Sequence, residues 1–459
     1  MENKKKTHSP LYAFAPIFIF IAIYLGAGIY YEIQGVESAF YQVSSIGCMF
    51  IALLIAFLMG DEKMEEKFRI FIRGIANEGV ITMLLVYIFA GAFSGIASAM
   101  GGKEAVVNLG LSLVPVHFLA AGVFVVSAFM GTATGTSIGT ISAVVPIAIG
   151  VAQKGGLNVS LVVGACVGGA MFGDNLSMIS DTTIAATTTQ GVRMKDKFYL
   201  NFLIALPAAI CTIILLLIFG RTSANADLGD LSFNPVKIIP YVVVFVLAIA
   251  GLNVIFVLSL GIVSSFVIGM ATGEFTFAAA SQSMYTGVTG MDEIFYLTLL
   301  TAGLGALMKS RGGIEGLIQG LRKVCRSARS SQLVIGIMTS ILDILTATNT
   351  VAIILCGETA RNISREYRID PRRTAALLDI FSCVPQGFLP YSGQLMISAS
   401  YLVAAGYSIA AVDLIPFVWY NMLLLFFGIL SIYVPYADIV CRKYPWNWDE
   451  GAGERTKQE

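Results

Sequence analysis

The sequence predicts an all-α integral membrane protein made of two inverted-topology repeats, each with a re-entrant helical hairpin and a broken transmembrane helix. Three observations carry that expectation. The 459 residues are 56% hydrophobic and 13% charged, with 46 glycines and a mean hydropathy of +0.79, which excludes an ordinary soluble enzyme. The chain also says nearly the same thing twice. Thr132-Ala133-Thr134-Gly135-Thr136 returns as Thr346-Ala347-Thr348-Asn349-Thr350, Gly101-Gly102 as Gly312-Gly313, and Gly60 before an acid as Gly273 before Glu274. Finally, the basic residues sort to one side of a bilayer only when each Thr-rich segment turns back on itself.

Taken in order, residues 1–10 read as a cytoplasmic tail with Lys4, Lys5 and Lys6, and 11–31 as a retained first helix, too long for a signal-peptide core. Apolar stretches long enough to span follow at 42–60, 75–98 and 198–220 in the first half, and at 237–252, 254–272, 292–309 and 411–434 in the second. Residues 61–74 predict an amphipathic surface helix, with 274–290 in the equivalent place. Repeat 1 covers 11–220, with a hairpin at about 116–153 and a broken helix at about 158–190. A linker at 221–236 leads to repeat 2 over 237–434, with a hairpin at about 331–363 and a broken helix at about 374–406; 435–459 is a second cytoplasmic tail.

With the N-terminus inside, all but Lys103, Lys154, Arg221 and Lys237 of the 29 Lys and Arg fall on the cytoplasmic face. Each half then makes an odd number of crossings, so the second copy is inserted upside down. Seven cysteines lie singly and two histidines stand apart, which leaves no metal-ligand or redox spacing. No GxxxxGK[ST] loop exists for ATP, and no feature favours nucleic acid.

Chemistry concentrates at the interruptions. A helix breaks inside the hydrocarbon only where protein or a water-filled cavity surrounds the gap, and the break exposes carbonyls and hydroxyls that suit a hard cation such as Na+. The first hairpin tip offers Thr134, Thr136 and Ser137; the second offers Thr348, Asn349 and Thr350. Gly173-Asp174-Asn175-Leu176-Ser177, continuing to Asp181, is the strongest segment, because carboxylates at membrane depth are costly unless they bind a cation or a proton. Asp174 and Asp181 would share one face if the helix resumed at once. At the second break Tyr391, Ser392 and Gln394 are neutral counterparts, so the acidic chemistry is assigned to repeat 1. Asp343 and Asp379 are further candidates, either lining a cavity or pairing with a nearby Arg, and Glu78 and Asp292 start equivalent helices, where they suit the helix dipole.

Thr134–Thr140 and Gly173–Thr183 resemble the signature regions of the NhaC-type sodium/proton antiporter family, although Ile138 and Met178 stand where its pattern commonly has Trp and Pro. Thr348-Asn349-Thr350 is similar to the Ser-Asn-Thr hairpin tips of Na+-coupled dicarboxylate carriers in the same superfamily of ion transporters. The resemblance implies two hairpins and two broken helices as the substrate site.

The expected function is Na+-coupled secondary transport by alternating access, foremost Na+/H+ exchange in a bacterial inner membrane. Na+ and H+ are cargo, and no cofactor is expected. Asp174, Asn175, Ser177 and Thr136 would hold Na+, with Asp174 also carrying the proton and Asp181 tuning it. The alternative is a Na+- or H+-driven carrier of an amino acid or small hydroxycarboxylate, with Asn349 among its ligands. A channel would repeat its filter between subunits rather than within one chain, and no nucleophile–base pair supports an enzyme. A homodimer would suit a mechanism in which one bundle moves against a fixed scaffold.

Overall fold

The computed structural model describes residues 10–34, 36, 42–113, 115–178, 180–220, 231–250 and 252–446. The expected N-terminal tail through residue 9, linker residues 221–230 and the C-terminal tail from 447 lie outside the described residues. Everything regular among them is helical. Seven helices are long and apolar enough to cross a membrane, and two bent helix pairs raise that to nine, in keeping with a multi-pass membrane protein.

The two halves run through the same elements in the same order. Met64–Ile75, Glu78–Ala99, Gly102–Leu113, Leu119–Thr134, Ser137–Lys154, Val159–Leu176 and Asp181–Gln190 are matched by Phe277–Thr289, Asp292–Ser310, Gly313–Arg322, Ala328–Thr346, Asn349–Glu366, Pro371–Gln386 and Gly393–Ala404. Ser45–Leu58 and Val254–Ala271 precede these series, and Met194–Phe219 and Trp419–Tyr433 close them.

Packing between the halves is reciprocal. Met64–Ile75 of the first half lies on Asp292–Ser310 of the second, while Phe277–Thr289 lies on Glu78–Ala99. Glycines permit both crossings. A Cβ on Gly74 would come within 2.8 Å of the Ala302 carbonyl, and one on Gly287 would overlap the Gly91 backbone. Element i meeting j while j′ meets i′ is the contact pattern of a two-fold axis. Combined with an odd number of crossings, such an axis relates inverted repeats.

Several basic residues assigned above to the cytoplasmic face are buried, and the reason is local. Lys67 Nζ donates to the carbonyls of Phe57 (2.9 Å) and Gly60 (3.0 Å), and the Arg311 guanidinium donates to those of Ala56 and Met59. Both cations thereby satisfy the open C-terminal carbonyls of Ser45–Leu58. Arg372 and Arg373 are also buried, at the start of Pro371–Gln386. Arg372 pairs with Asp370, the N-cap of that helix.

Candidate functional site

The first hairpin turns at Gly135, whose φ of 68° suits glycine, between Leu119–Thr134 and Ser137–Lys154. Thr136 caps the second arm through the Gly139 N–H, and the Thr134 hydroxyl bonds around the turn to the Thr136 carbonyl and the Thr140 hydroxyl. The second hairpin turns at Ala347, with φ 50°, between Ala328–Thr346 and Asn349–Glu366. Here an alanine occupies the left-handed conformation, a strain of the kind found at functional turns.

The first broken helix runs Val159–Leu176, opens, and resumes as Asp181–Gln190. Asp174 stands in the last turn before the gap and is buried. Its Oδ1 accepts the Ser180 hydroxyl at 2.6 Å across the gap, and its Oδ2 accepts the Ser137 backbone N–H at 3.2 Å from the first hairpin. Among the described residues Asp174 makes no ion pair. One carboxylate therefore ties the hairpin to the break through neutral donors alone.

Asn175 faces elsewhere. Its amide donates to the Cys383 sulfur (3.3 Å) and the Tyr420 hydroxyl (3.2 Å), while its carbonyl accepts from Lys197 (3.1 Å) and Asn201 (3.0 Å). Ser177 follows at the gap, its carbonyl accepting the Thr183 hydroxyl at 2.7 Å. Asp181 lies on a separate half-helix from Asp174, so their seven-residue spacing does not by itself put them on one helical face. It begins the second half-helix, is exposed, and accepts the Thr350 hydroxyl at 2.6 Å from the second hairpin.

Lys197, read from sequence as a cytoplasmic topology marker, is a member of this site. It is fully buried, forms an ion pair with Asp379 at 2.7 Å and donates to the Thr183 hydroxyl at 2.7 Å. Asn201 adds a 2.6 Å hydrogen bond to Asp379. Asp379 is thus a paired carboxylate and not a free lining group. The available signal was spacing: Lys197 and Asn201 are four apart, on one face of Met194–Phe219.

The second broken helix runs Pro371–Gln386 and resumes as Gly393–Ala404, capped by the Ser392 hydroxyl on the Leu395 N–H. Ser392 also donates to the Gln386 carbonyl (2.8 Å), and Tyr391 donates to the Ile344 carbonyl (2.9 Å). Asp343 is fully buried, with both carboxylate oxygens 2.7 Å from the Gln386 amide nitrogen. The second break therefore has an acidic neighbour after all, supplied by the hairpin.

The hairpins and breaks also cross-connect. Thr350 of the second hairpin bonds to Asp181 of the first broken helix, and Ser137 of the first hairpin accepts from Gln394 of the second at 3.2 Å. Ser137 and Thr350 are 213 apart, as are Asp181 and Gln394, so one contact occurs twice under the pseudo-symmetry. The Ser137 contact is buried and the Thr350 contact is exposed. A cavity of about 780 Å³ reaches Thr346 and Thr348 at the second hairpin and is lined also by Arg73, Asn77, Lys309 and Arg311.

Two hairpins and two broken helices meeting around a buried carboxylate define a secondary membrane transporter. The family model described as "Na+/H+ antiporter family" matches residues 6–221 and 225–434. The chain belongs to the Na+/H+ antiporter family. It is 22% identical over 90% of its length, and 92% of the relative's, to the malate-2H(+)/Na(+)-lactate antiporter of Bacillus subtilis. It is 24% identical to the Na(+)/H(+) antiporter NhaC of Alkalihalophilus pseudofirmus, over 76% of this chain and 81% of that one. It is also 23% identical to the arginine/ornithine antiporter ArcD of Halobacterium salinarum, over 67% and 70%.

Proposed function

We propose that this protein exchanges Na+ for H+ across a bacterial inner membrane by alternating access, with both termini in the cytoplasm. The observation that carries the reading is Asp174: a buried carboxylate in a helix break, held by two neutral donors that a cation could replace. With a proton bound, Asp174 needs no counter-charge. When Na+ arrives, the proton leaves and the carboxylate becomes a ligand for the cation. Oxygens of Ser177, Thr134, Thr136 and Ser137 complete the shell, all close in sequence to the gap or the hairpin tip, whereas Asn175, a ligand expected from sequence, is turned to Cys383 and Tyr420 with its carbonyl taken by Lys197 and Asn201. Asp181, joined to Thr350, tunes the pair and answers the state of the second hairpin. Lys197 and Asp379 serve as scaffold, because their charges already neutralise one another.

The test uses purified protein in liposomes loaded with a pH-sensitive dye, under an outward proton gradient, with a Na+ pulse outside. Dissipation of the gradient by Na+ alone is the expected result. Silence with Na+ alone would overturn it.

A second reading is favoured by the cavity at the second hairpin, whose volume exceeds what a bare ion needs and whose lining has Arg73, Lys309 and Arg311 against one acid, Glu66, a balance that suits a carboxylate. The B. subtilis relative is named for malate and lactate. In that case a small hydroxycarboxylate or amino acid moves with the ions and touches Thr348, Asn349 and Thr350. Gradient dissipation that begins only when such a solute is added would establish it.

A further inference from the structure

Asp343 poses a problem that the first break does not solve. Its carboxyl is fully buried on Ala328–Thr346, one turn before the second hairpin tip, and among the described residues its side-chain hydrogen bonds are the two from Gln386. Among the described residues no Lys, Arg or His forms an ion pair with it. Gln386 comes from Pro371–Gln386, which packs along this helix, and the Tyr391 phenol donates to the carbonyl of the next residue, Ile344. Asn349–Glu366, Gly313–Arg322, Asp292–Ser310 and Trp419–Tyr433 also pack on its helix, and among the described residues none contributes a charge paired with it. A carboxylate so enclosed must take up a positive charge from elsewhere.

Position says that this is a counterpart site and not a stray acid. Gln386 and Ser392 lie 212 residues after Asp174 and Ser180, and in each pair the serine hydroxyl donates across the gap to the earlier residue. The first break carries its carboxyl on the broken helix and borrows a donor from the hairpin. At the second break these roles are exchanged, with the carboxyl on the hairpin arm and the donor on the broken helix.

The choice between a proton and Na+ follows from the donor set. Na+ requires several oxygens, whereas the polar atom aimed at Asp343 is an amide nitrogen. A small cavity beside the tip, lined by Tyr87, Thr298, Thr346, Thr348 and Tyr391, has room on the scale of a single water, and the same two threonines line the large cavity. That gives a proton a short route from solvent to the turn above Asp343.

We infer that Asp343, held by Gln386, is a second proton-carrying carboxyl, distinct from Asp174, so that each repeat binds one proton. On loading, a proton adds to the carboxylate to give the neutral acid; on release it leaves towards the second hairpin. The inference rests on the proposed Na+/H+ exchange for its role in the cycle, but the protonated acid can be observed without transport. Infrared spectra of purified wild type, Asp343→Asn and Asp174→Asn should show a buried carboxylic-acid C=O band that Asp343→Asn removes and Asp174→Asn leaves. In liposomes, the gradient at which net flux vanishes should shift in Asp343→Asn to one proton fewer per Na+. An unchanged infrared band in Asp343→Asn, or an unchanged null gradient in an active Asp343→Asn protein, would overturn the inference. A wild type with no Na+-driven proton movement would instead overturn the proposed function and leave the infrared result to decide this one.

Discussion

Lys197 and Asp379 hold each other at 2.7 Å in the protein interior, whereas Asp174, close by, is held among the described residues by a serine hydroxyl and a backbone N–H. The two carboxylates therefore have different work. Removing one member of a buried pair strands the other charge, at a cost of about 3–5 kcal/mol, while replacing both with apolar side chains is often close to neutral. Lys197→Met should accordingly lower the melting temperature in detergent sharply, and Lys197→Met combined with Asp379→Leu should recover most of it. Equal losses in the single and double variants would show that the pair does not act as a unit. Asp174→Asn, by contrast, should fold well and lose Na+-dependent proton movement. Ser180→Ala removes one hydrogen bond to that carboxylate, worth about 1.5 kcal/mol, and should change the Na+ concentration for half-maximal exchange by roughly tenfold. Dye-loaded liposomes read both.

At the scale of elements, the breaks and crossings follow from small residues. Gly287 lies against the Gly91 backbone, and Gly74 against Ala302 and Gly303, so no side chain fits at either crossing. Gly287→Leu should separate Phe277–Thr289 from Glu78–Ala99 and destabilise the fold by roughly 1–3 kcal/mol or more, as overpacking does. A thermal-shift assay would detect it. Gly273→Ala meets open space, but its φ of 73° makes the cost one of backbone strain alone. The hairpins obey the same logic at their tips, where Gly135 and Ala347 hold the left-handed turn that brings Ser137 and Thr350 to the opposite broken helices.

Over the whole molecule, the repeated contact is asymmetric: Ser137–Gln394 is buried, Thr350–Asp181 is exposed, and the large cavity reaches the second hairpin. Two related packings of one architecture are what alternating access requires. Cross-linking Ser137→Cys to Gln394→Cys should arrest transport relative to the same protein after reduction, while a reporter cysteine at Thr348 remains open to a water-soluble maleimide. Transport that continues undiminished in the cross-linked protein would show that this contact does not open during the cycle.

Hydrophobic composition, the offset of about 213 residues and the Thr- and Asp-rich interruptions are local or periodic features, so the sequence alone determined the membrane class, the internal repeat and the segments where helices break. It also singled out Asp174, because a carboxylate beside glycine in an apolar run is conspicuous by itself. What required the tertiary structure was the partner of each polar group. Lys197 reads as one more basic residue until Asp379, 182 positions away, is placed beside it, and Asp343 reads as unaccompanied until Gln386 arrives from the next helix. A shared face for Asp181 and Asp174 holds only in an unbroken helix, whereas one helix ends at Leu176 and another begins at Asp181, whose carboxylate accepts from the second hairpin. Helical period and hydropathy are written in neighbouring residues. The pairing of charges across distant helices is written only in their packing.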